Sequence, residues 1–420
     1  MDETLQLNGT WVRNRMVALG LTQWWVAEQI GVDRRTVMRW ANGQVRTIRR
    51  TNAVALATVL QCRLEALLQP PDVSPLASGH DQRAAGLALA GAGLLDRLGP
   101  VHQWDVAEAL LKATAVPDLP LSVLGSLYQQ LAVACWRQDK LDEAQRHNDT
   151  ALAFAERSDD RGLAVRALGS RANLRHWRGA CAEAIADWRT ALAEAECVEP
   201  RERASLHCNL GAALYETGHA EAGRGEIETA LVLLREDGTP MQRSIALAHL
   251  ALLELECGNG EAAAHAARRS EALARRGDYR RGLALGQLLL AEAAALAGDA
   301  PAASDGIARG LAAFAELGIA EGANHRVAGR AWRRMGVRDR AIDVLRAGLP
   351  LARDFPLELA DLHGELALAF AQAGDADAAR AEADRAAALY LRCGAPRKAG
   401  ALAGAMSPHV TWHATGEPLP

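Results

Sequence analysis

Apolar positions in residues 20–43 recur at helical spacing on both sides of a glycine. The first set is a stripe at Val26, Ala27 and Ile30. Gly31 follows this stripe, where a left-handed helix end favours glycine, and Asp33 can cap the helix that comes next. The second helix is expected to bury Val37 and Trp40. The pattern therefore predicts two short helices around a tight turn, which is the layout of a DNA-reading helix-turn-helix.

Charge is distributed unevenly along this chain of 420 residues, whose formal net charge is -4. Residues 1–70 hold nine Arg against five acidic residues, a net charge of +4, so the remainder carries -8. Residues 33–50 alone hold six Arg and one acid. A solvated charged surface could give the same counts, but a basic face beside helix-turn-helix spacing favours contact with DNA.

Residues 12–68 resemble the Xre/phage-repressor helix-turn-helix family, whose DNA-binding domain has five helices. The resemblance rests on residues 12–15, 19–23, 26–27, 30–32 and 36–43, with the leucine positions of residues 56–68 matching the last two helices. Trp24-Trp25 departs from the family, which usually carries small or charged residues there. Two adjacent tryptophans cannot share one helix face, so at least one is expected at the surface or at a dimer or interdomain contact.

The resemblance implies roles for nine side chains of this domain. Three arginines would reach base edges, since a guanidinium pairs bidentately with guanine O6 and N7. These are Arg34, Arg35 and Arg39. Six further residues would hold phosphates, which gives affinity and register but no sequence choice. These are Gln23, Thr36, Asn42, Arg46, Arg49 and Arg50.

A proline-rich stretch at residues 69–75 indicates the end of the first domain, because helices end before proline. We expect a helix-turn-helix domain over residues 1–69 and a linker over 70–81. The sequence then predicts one helix over 82–98 and another over 101–115, which together form a divergent pair or cap over 82–120.

From residue 121 to about 400 the chain repeats with a period of 38–40 residues. A helix-ending residue recurs at Asp139, Gly179, Gly218, Gly258, Gly298, Gly336 and Gly374. Small residues recur at three fixed offsets from each of these: seven residues before, five after and twelve after. All 21 of these positions hold Ala, Gly or Ser, which antiparallel helices need in order to pack closely. The pattern resembles the tetratricopeptide repeat and implies about seven repeats in a right-handed superhelix with a concave groove. We expect residues 401–420 to be a tail, and the whole fold to be all-α.

Polar and aromatic side chains at the groove positions are candidates for ligand contact. They are Gln129, Trp136, Arg166, Asn173, His176, Asn209, Tyr215, Arg326, Arg330 and Arg333. Asn173 and Asn209 resemble the asparagine pair with which some tetratricopeptide domains hold a peptide backbone. Gly169 stands where those domains carry the lysine of a carboxylate clamp. The arginines could bind an acidic group, and an ordinary polar groove surface is the alternative.

The combination of an Xre-type domain, a linker and a long repeat array resembles the RRNPP class of bacterial peptide-pheromone receptors. That resemblance implies a cytoplasmic homodimer, an inverted-repeat operator in double-stranded DNA, and quorum sensing through a short peptide that enters the groove and switches DNA binding. Two alternatives stay open. The array could bind another protein, or the chain could be an adaptor that does not bind DNA.

Enzymatic and membrane functions find no support in the sequence. We find no GxGxxG after a strand, P-loop, GxSxG or HExxH motif, and we expect no cofactor and no metal site. The seven scattered cysteines without a CxxC pair indicate reduced cytosolic thiols. No long apolar run predicts a membrane span, and the start Met1-Asp2-Glu3 predicts no signal peptide.

Overall fold

The computed structural model describes residues 4–62, 64–68, 79–91, 93–99 and 103–407. The fold is almost entirely helical, which confirms the predicted all-α class. The N-terminal domain has four α-helices and ends in a short 3-10 helix, Leu64–Leu67, at the place of the fifth helix. The α-helices are α1 Gly9–Ala18, α2 Gln23–Ile30, α3 Arg34–Ala41 and α4 Arg50–Val59.

The local chemistry of the helix-turn-helix is as the sequence predicted. Gly31 ends α2 with φ of +70°, and the Asp33 carboxylate caps α3 by accepting a hydrogen bond from the Arg35 amide at 2.7 Å. Val37 and Trp40 are buried in the core of the domain. Trp24 and Trp25 of α2 are 60% and 39% exposed, so both tryptophans of the adjacent pair lie at the surface.

A short antiparallel ribbon was not predicted. Strand β1, Thr4–Gln6, pairs with β2, Thr47–Arg49, and Leu7 continues the contact through a hydrogen bond from its amide to the Arg46 carbonyl. Three-residue strands are too short to show a period-two pattern, so the sequence offered no signal. The ribbon connects the residues before α1 to the segment after α3 through hydrogen bonds.

The described residues between the two main parts of the chain form three helices: α5 Gly79–Leu89, α6 Gly93–Leu98 and α7 Trp104–Thr114. The prediction of one helix over residues 82–98 was wrong, because the chain is divided there into α5 and α6. Residues 90–93 read Ala-Gly-Ala-Gly, and glycine costs a helix about 1 kcal/mol relative to alanine. Most of the expected linker over 70–81 lies outside the described residues.

Seven antiparallel helix pairs form the repeat array. Their bounds are α8 Leu121–Trp136, α9 Leu141–Ser158, α10 Arg161–Trp177, α11 Cys181–Ala193, α12 Pro200–Glu216, α13 Ala220–Asp237, α14 Pro240–Glu256, α15 Gly260–Arg276, α16 Arg280–Leu296, α17 Ala300–Glu316, α18 Gly322–Arg334, α19 Arg338–Gly348, α20 Pro356–Ala373 and α21 Ala376–Arg392. A further helix, α22, spans Pro396–Met406, so the expectation of a tail from residue 401 was wrong as far as residue 406. Residues 408–420 lie outside the described part of the chain.

The recurring turn residues have the backbone conformation that explains them. All seven have positive φ, from +59° at Asp139 to +89° at Gly218, the left-handed region in which glycine is favoured. The 21 small residues around them are all buried. A Cβ atom placed on Gly211 would lie 2.8 Å from the carbonyl oxygen of Gly223, so only glycine permits this approach of α12 and α13.

The superhelix curves until its last repeat contacts its second. The rings of Trp177 and Phe355 meet edge to face with centroids 4.8 Å apart, and Lys398 of α22 forms an ion pair with Glu256 of α14. The array therefore encloses a space on its concave side. No helix in the described ranges combines the length and apolarity that crossing a bilayer requires.

Candidate DNA-binding face and ligand cavity

The three predicted base-reading arginines lie together on the recognition helix α3. Arg34 and Arg35 occupy its first turn and Arg39 lies one turn later, and all three side chains are exposed. The N-terminal end of such a helix is the part that enters the major groove. The geometry therefore leaves these arginines accessible to a duplex.

The six predicted phosphate-contacting residues surround this helix. Gln23 begins α2, and Thr36 lies in the first turn of α3. The other four, Asn42, Arg46, Arg49 and Arg50, follow along the chain from the end of α3 to the start of α4. Asn42, Arg46 and Arg49 are exposed, and the remaining three are half-buried. Together they give α3 a polar and basic border.

A different face of the N-terminal domain docks on the array. The Leu64 amide donates a hydrogen bond to the Gly318 carbonyl at the end of α17, with an N to O distance of 3.2 Å. Trp11 and Arg15 of α1 reach the concave side of the superhelix. Arg15 is held by hydrogen bonds to the carbonyls of Leu60 and Gln61, at 3.0 and 2.9 Å.

A cavity of about 450 Å³ lies where the docked domain meets the concave side of the array. This volume is in the range of small-molecule sites in proteins. The N-terminal domain contributes Trp11, Arg15, Gln61 and Cys62 to the wall, and all the other lining residues come from the array. A ligand in this cavity would touch both parts of the protein.

Aromatic rings form one side of the cavity. Trp136 and Trp177 meet edge to face with centroids 5.6 Å apart, and Phe355 packs on the far side of Trp177. The Arg137 guanidinium lies 4.3 Å from the centre of the Trp136 ring. The buried indole nitrogens of Trp136 and Trp188 have no hydrogen-bond partner in the described structure, and both residues line the cavity.

Amide and carboxylate groups form another side. The Asn209 side chain donates a hydrogen bond to the Asn173 Oδ1 at 2.9 Å, so the predicted asparagine pair is in direct contact. His176 Nε2 lies 3.0 Å from a Glu216 carboxylate oxygen. The neighbouring His176 and His249 lower the pKa of Glu216 against the effect of burial, which by itself raises it.

The structure brings five of the ten predicted groove residues to the cavity wall: Trp136, Asn173, His176, Asn209 and Arg326. Three others lie elsewhere. Gln129 donates a hydrogen bond to Ser170, Arg166 pairs with Glu202 at 3.7 Å, and Tyr215 is buried with its hydroxyl 3.4 Å from Glu216.

The last two predicted groove residues are held in ion pairs. Arg330 donates to Glu292 at 3.0 Å, and Arg333 donates to Glu365 at 2.8 Å. Each partner lies about one repeat away, on α16 or on α20. These contacts occupy the two guanidinium groups with the protein's own carboxylates.

Several cavity residues had no counterpart in the sequence prediction, among them Trp177, His249, Asn324, Phe355 and Glu358. His249 lies forty residues after Asn209, so the repeat period could have found it. Phe355 lies before α20, outside the regular repeat positions, and reaches the cavity because the superhelix curves back on itself.

Two buried groups of the cavity have altered acidity. Burial and the neighbouring Glu321 carboxylate raise the pKa of Glu358 to about 8, although the Ala323 amide donates a hydrogen bond to it at 2.8 Å. Burial lowers the pKa of His249. Both shifts favour the uncharged form of the side chain, the carboxylic acid of Glu358 and the neutral imidazole of His249.

One group of side chains has the composition of a metal site. Cys135, Glu143 and His147 place their ligand atoms within 4.8 Å of one another. Lys112 Nζ already lies 3.3 Å from the Glu143 carboxylate, and burial raises the pKa of Cys135 to about 12. Both effects oppose metal binding, since a metal needs the thiolate and the free carboxylate. We assign no metal to this group.

Comparison with known proteins supports both parts of this description. The helix-turn-helix family model matches residues 12–67. The Rap protein, in its crystal structure with Competence and Sporulation Factor, superposes with a TM-score of 0.57 at 12% identity, over 93% of this chain and 100% of that chain. Bacillus thuringiensis PlcR, in a structure with the peptide PapR7 and DNA, gives 0.41 at 15% identity, over 66% and 98%. No curated protein sequence matches the chain.

The chain therefore joins an Xre-type helix-turn-helix domain to a tetratricopeptide-like array. At 12% identity the likeness to Rap concerns the fold alone. This is the architecture that the resemblance to the RRNPP class predicted.

Proposed function

We propose that this chain is a sequence-specific, DNA-binding transcriptional regulator, and that a small ligand bound by its array gates DNA binding. The observation that carries the proposal is the shared cavity, to which Trp11 and Arg15 of the DNA-binding domain contribute beside Asn173 and Asn209 of the array. A regulator of this kind has no need of catalytic residues, so we propose a non-enzymatic role in the cytoplasm.

The coupling between ligand and DNA follows from the position of α1. Its residues Trp11 and Arg15 face the cavity, while Gly9 at its start lies against the backbone of Trp40 in α3. A ligand that binds better when the domain is docked than when it is released, or the reverse, must shift the population of docked molecules. The position of the recognition helix shifts with it.

A short signalling peptide is the ligand that we favour. Paired asparagine amides such as Asn173 and Asn209 can donate to and accept from a peptide backbone. Rap, whose fold the array shares, is described in complex with Competence and Sporulation Factor. We therefore propose a role in quorum sensing.

We further propose that the protein acts as a homodimer on an inverted-repeat operator. A single helix-turn-helix contacts few base pairs, and paired half-sites are usual for this motif. Exposed Trp24 and Trp25 on α2 offer an apolar surface on the DNA-binding domain for such a contact.

The test uses the full-length protein, a duplex that this protein has selected from random sequences, and the peptide fraction of a cytoplasmic extract. We expect that fraction to change the affinity for DNA by about 5–150-fold, the usual range of allosteric coupling. An Asn209→Ala variant should still bind the duplex and should lose the response. If only a protein-sized fraction acts, the array binds another protein instead. If no fraction acts on a protein that binds its duplex, the proposed gate is wrong.

A further inference from the structure

The basic side chains of the cavity differ in whether other groups of the protein hydrogen-bond to them or stack on them. Arg281 donates to Glu321 at 2.7 Å, Lys140 donates to Glu108 at 2.6 Å, and Arg15 donates to two carbonyls of its own domain. Arg137 lies on the Trp136 ring. Arg326 of α18 differs, because in the described structure its guanidinium has neither a hydrogen bond nor a ring contact and only lies at ion-pair distance from a carboxylate.

Arg326 is nevertheless buried, with 8% of its surface exposed. Among the described residues its Nε atom has no hydrogen-bond partner, and the nearest carboxylate oxygen, Oδ2 of Asp361, lies 3.7 Å away. A buried guanidinium without hydrogen bonds is costly, since a charge removed from water normally finds a partner. The guanidinium therefore has hydrogen-bonding capacity left for an acceptor from outside the chain.

Asp361 does not depend on Arg326 for its own partners. It accepts a hydrogen bond from the Tyr390 hydroxyl at 2.7 Å, and Lys398 Nζ lies 3.6 Å from it. Arg330, one turn later on the same helix, behaves differently, because it donates directly to the fully buried Glu292. Of these two buried arginines of α18, Arg330 is hydrogen-bonded to its carboxylate, whereas Arg326 lies 3.7 Å from the Asp361 carboxylate without a hydrogen bond in the described structure.

A second unpartnered donor lies two residues before Arg326. Asn324 is 4% exposed and lines the same cavity, and its Nδ2 has no hydrogen-bond partner within the part of the chain that the structure describes. Both residues belong to the first two turns of α18, where the helix dipole favours a negative group. Burial raises the pKa of the nearby Glu358 carboxyl to about 8, which favours its neutral form at pH 7.

We propose that Arg326, assisted by Asn324, binds a carboxylate of the ligand, and that the rings of Trp136, Trp177 and Phe355 hold an apolar group of the same molecule. The ligand is then an amphipathic carboxylic acid. The carboxylate can belong to a short peptide or to a small aromatic acid. This inference deepens the proposed function, on which its regulatory meaning rests, while the binding chemistry is tested without DNA.

The experiment measures the binding of two probes to the full-length protein by titration calorimetry. The probes are N-acetylphenylalanine and N-acetylphenylalaninamide, which differ only in the carboxylate. A charge-assisted hydrogen bond is about twice as strong as a neutral one, so we expect the acid to bind about tenfold more tightly. Arg326→Gln should remove this preference and leave the affinity for the amide unchanged, and Arg326→Lys should keep part of it.

A second measurement separates a ligand anchor from a structural residue. Without ligand, Arg326→Gln should leave the melting temperature unchanged or raise it, because it removes a buried charge that has no hydrogen bond. The matched variant Arg330→Gln should lower it by several degrees, because it leaves Glu292 without this partner. If Arg326→Gln lowers the melting temperature as much as Arg330→Gln does, Arg326 forms a structural ion pair with Asp361 and the proposal is wrong.

The remaining outcomes are also decisive. Equal affinities of the two probes for the wild type, a preference that survives Arg326→Gln, or no binding of either probe would each overturn the carboxylate site. A third probe, 3-phenylpropanoate, distinguishes the sources, since it should bind as well as N-acetylphenylalanine if the ligand is a small acid and more weakly if a peptide amide is recognised. If the probes contradict the carboxylate site but the extract still changes the affinity for DNA, the proposed function stands and only the carboxylate site is wrong.

Discussion

The Leu64 amide and the Gly318 carbonyl join the DNA-binding domain to the repeat array through a hydrogen bond of 3.2 Å. Gly318 has φ of +68°, and a Cβ atom placed on it would lie 2.5 Å from the Leu64 Cβ. The absence of a side chain at this position therefore allows the two parts to dock and to close the cavity.

Gly318→Ala should release the domain from the array. The new methyl group clashes with Leu64, and the left-handed backbone adds a strain of about 1–2 kcal/mol. Small-angle scattering should show a larger radius of gyration than for the wild type. Gly298→Ala is the matched control, because Gly298 has φ of +78° and no described atom lies within 4 Å of its Cβ position. Equal radii for both variants would contradict the role of this contact.

Arg34→Ala and Arg35→Ala should each weaken specific DNA binding by about 10–100-fold, since a bidentate contact to a base contributes about 1–3 kcal/mol. The array should stay folded, because both side chains are exposed. Fluorescence anisotropy with a specific and a scrambled duplex measures the effect. Arg309→Ala on the array, whose side chain is 63% exposed, is the control. Retained specificity in the double variant would show that α3 does not read the bases.

Glu292→Gln should destabilise the array strongly. The Glu292 carboxylate is fully buried and pairs with both Arg330 and Arg334. Removing one member of a buried ion pair costs about 3–5 kcal/mol. Asp305→Asn breaks the exposed pair with Arg309 and should cost less than about 1 kcal/mol. Urea unfolding of both variants provides the comparison, and similar midpoints would contradict the importance assigned to the buried network.

Glu358 should make the protein less stable as the pH rises from about 5 to 8. Its folded-state pKa of about 8 lies above the ordinary 4.5, so the folded chain binds the proton more tightly. That contribution is fully present below pH 4.5 and is lost as the pH rises through 8. Burial and the Glu321 and Asp361 carboxylates oppose ionisation of Glu358, whereas the Arg326 guanidinium favours ionisation.

The check is the difference in melting temperature between the wild type and Glu358→Gln across this pH range. The melting temperature of the variant should increase relative to that of the wild type as the pH rises, because the glutamine side chain stays neutral. A constant difference from pH 5 to 8 would mean that Glu358 is already ionised at pH 5 in the folded protein.

The helix-turn-helix and the regular part of the array could be predicted because their signals are local. Gly31 and the seven recurring turn residues need left-handed backbone, and small residues at fixed offsets mark the helix contacts. The break between α5 and α6, the ribbon of β1 and β2, and the helical start of the expected tail were missed. Short elements of this kind give little periodicity to detect.

The cavity could be predicted only in part, because it depends on contacts between distant repeats. Asn173 and Asn209 lie one repeat apart and were found from the period. Trp177 and Phe355 meet only because the array curves through five further repeats. The partners of Arg330 and Arg333 lie 38 and 32 residues away, so the sequence could not show which arginine was left unoccupied.

The measurement that tests the central claim most directly is selection of random duplexes by the full-length protein at physiological salt. The account predicts enrichment of an inverted repeat, whose half-site spacing would report the separation of two DNA-binding domains, and loss of that enrichment in the Arg34→Ala, Arg35→Ala double variant. Absence of any enriched sequence, both without and with a cytoplasmic peptide extract, would contradict a sequence-specific, ligand-gated regulator and favour an adaptor that does not bind DNA.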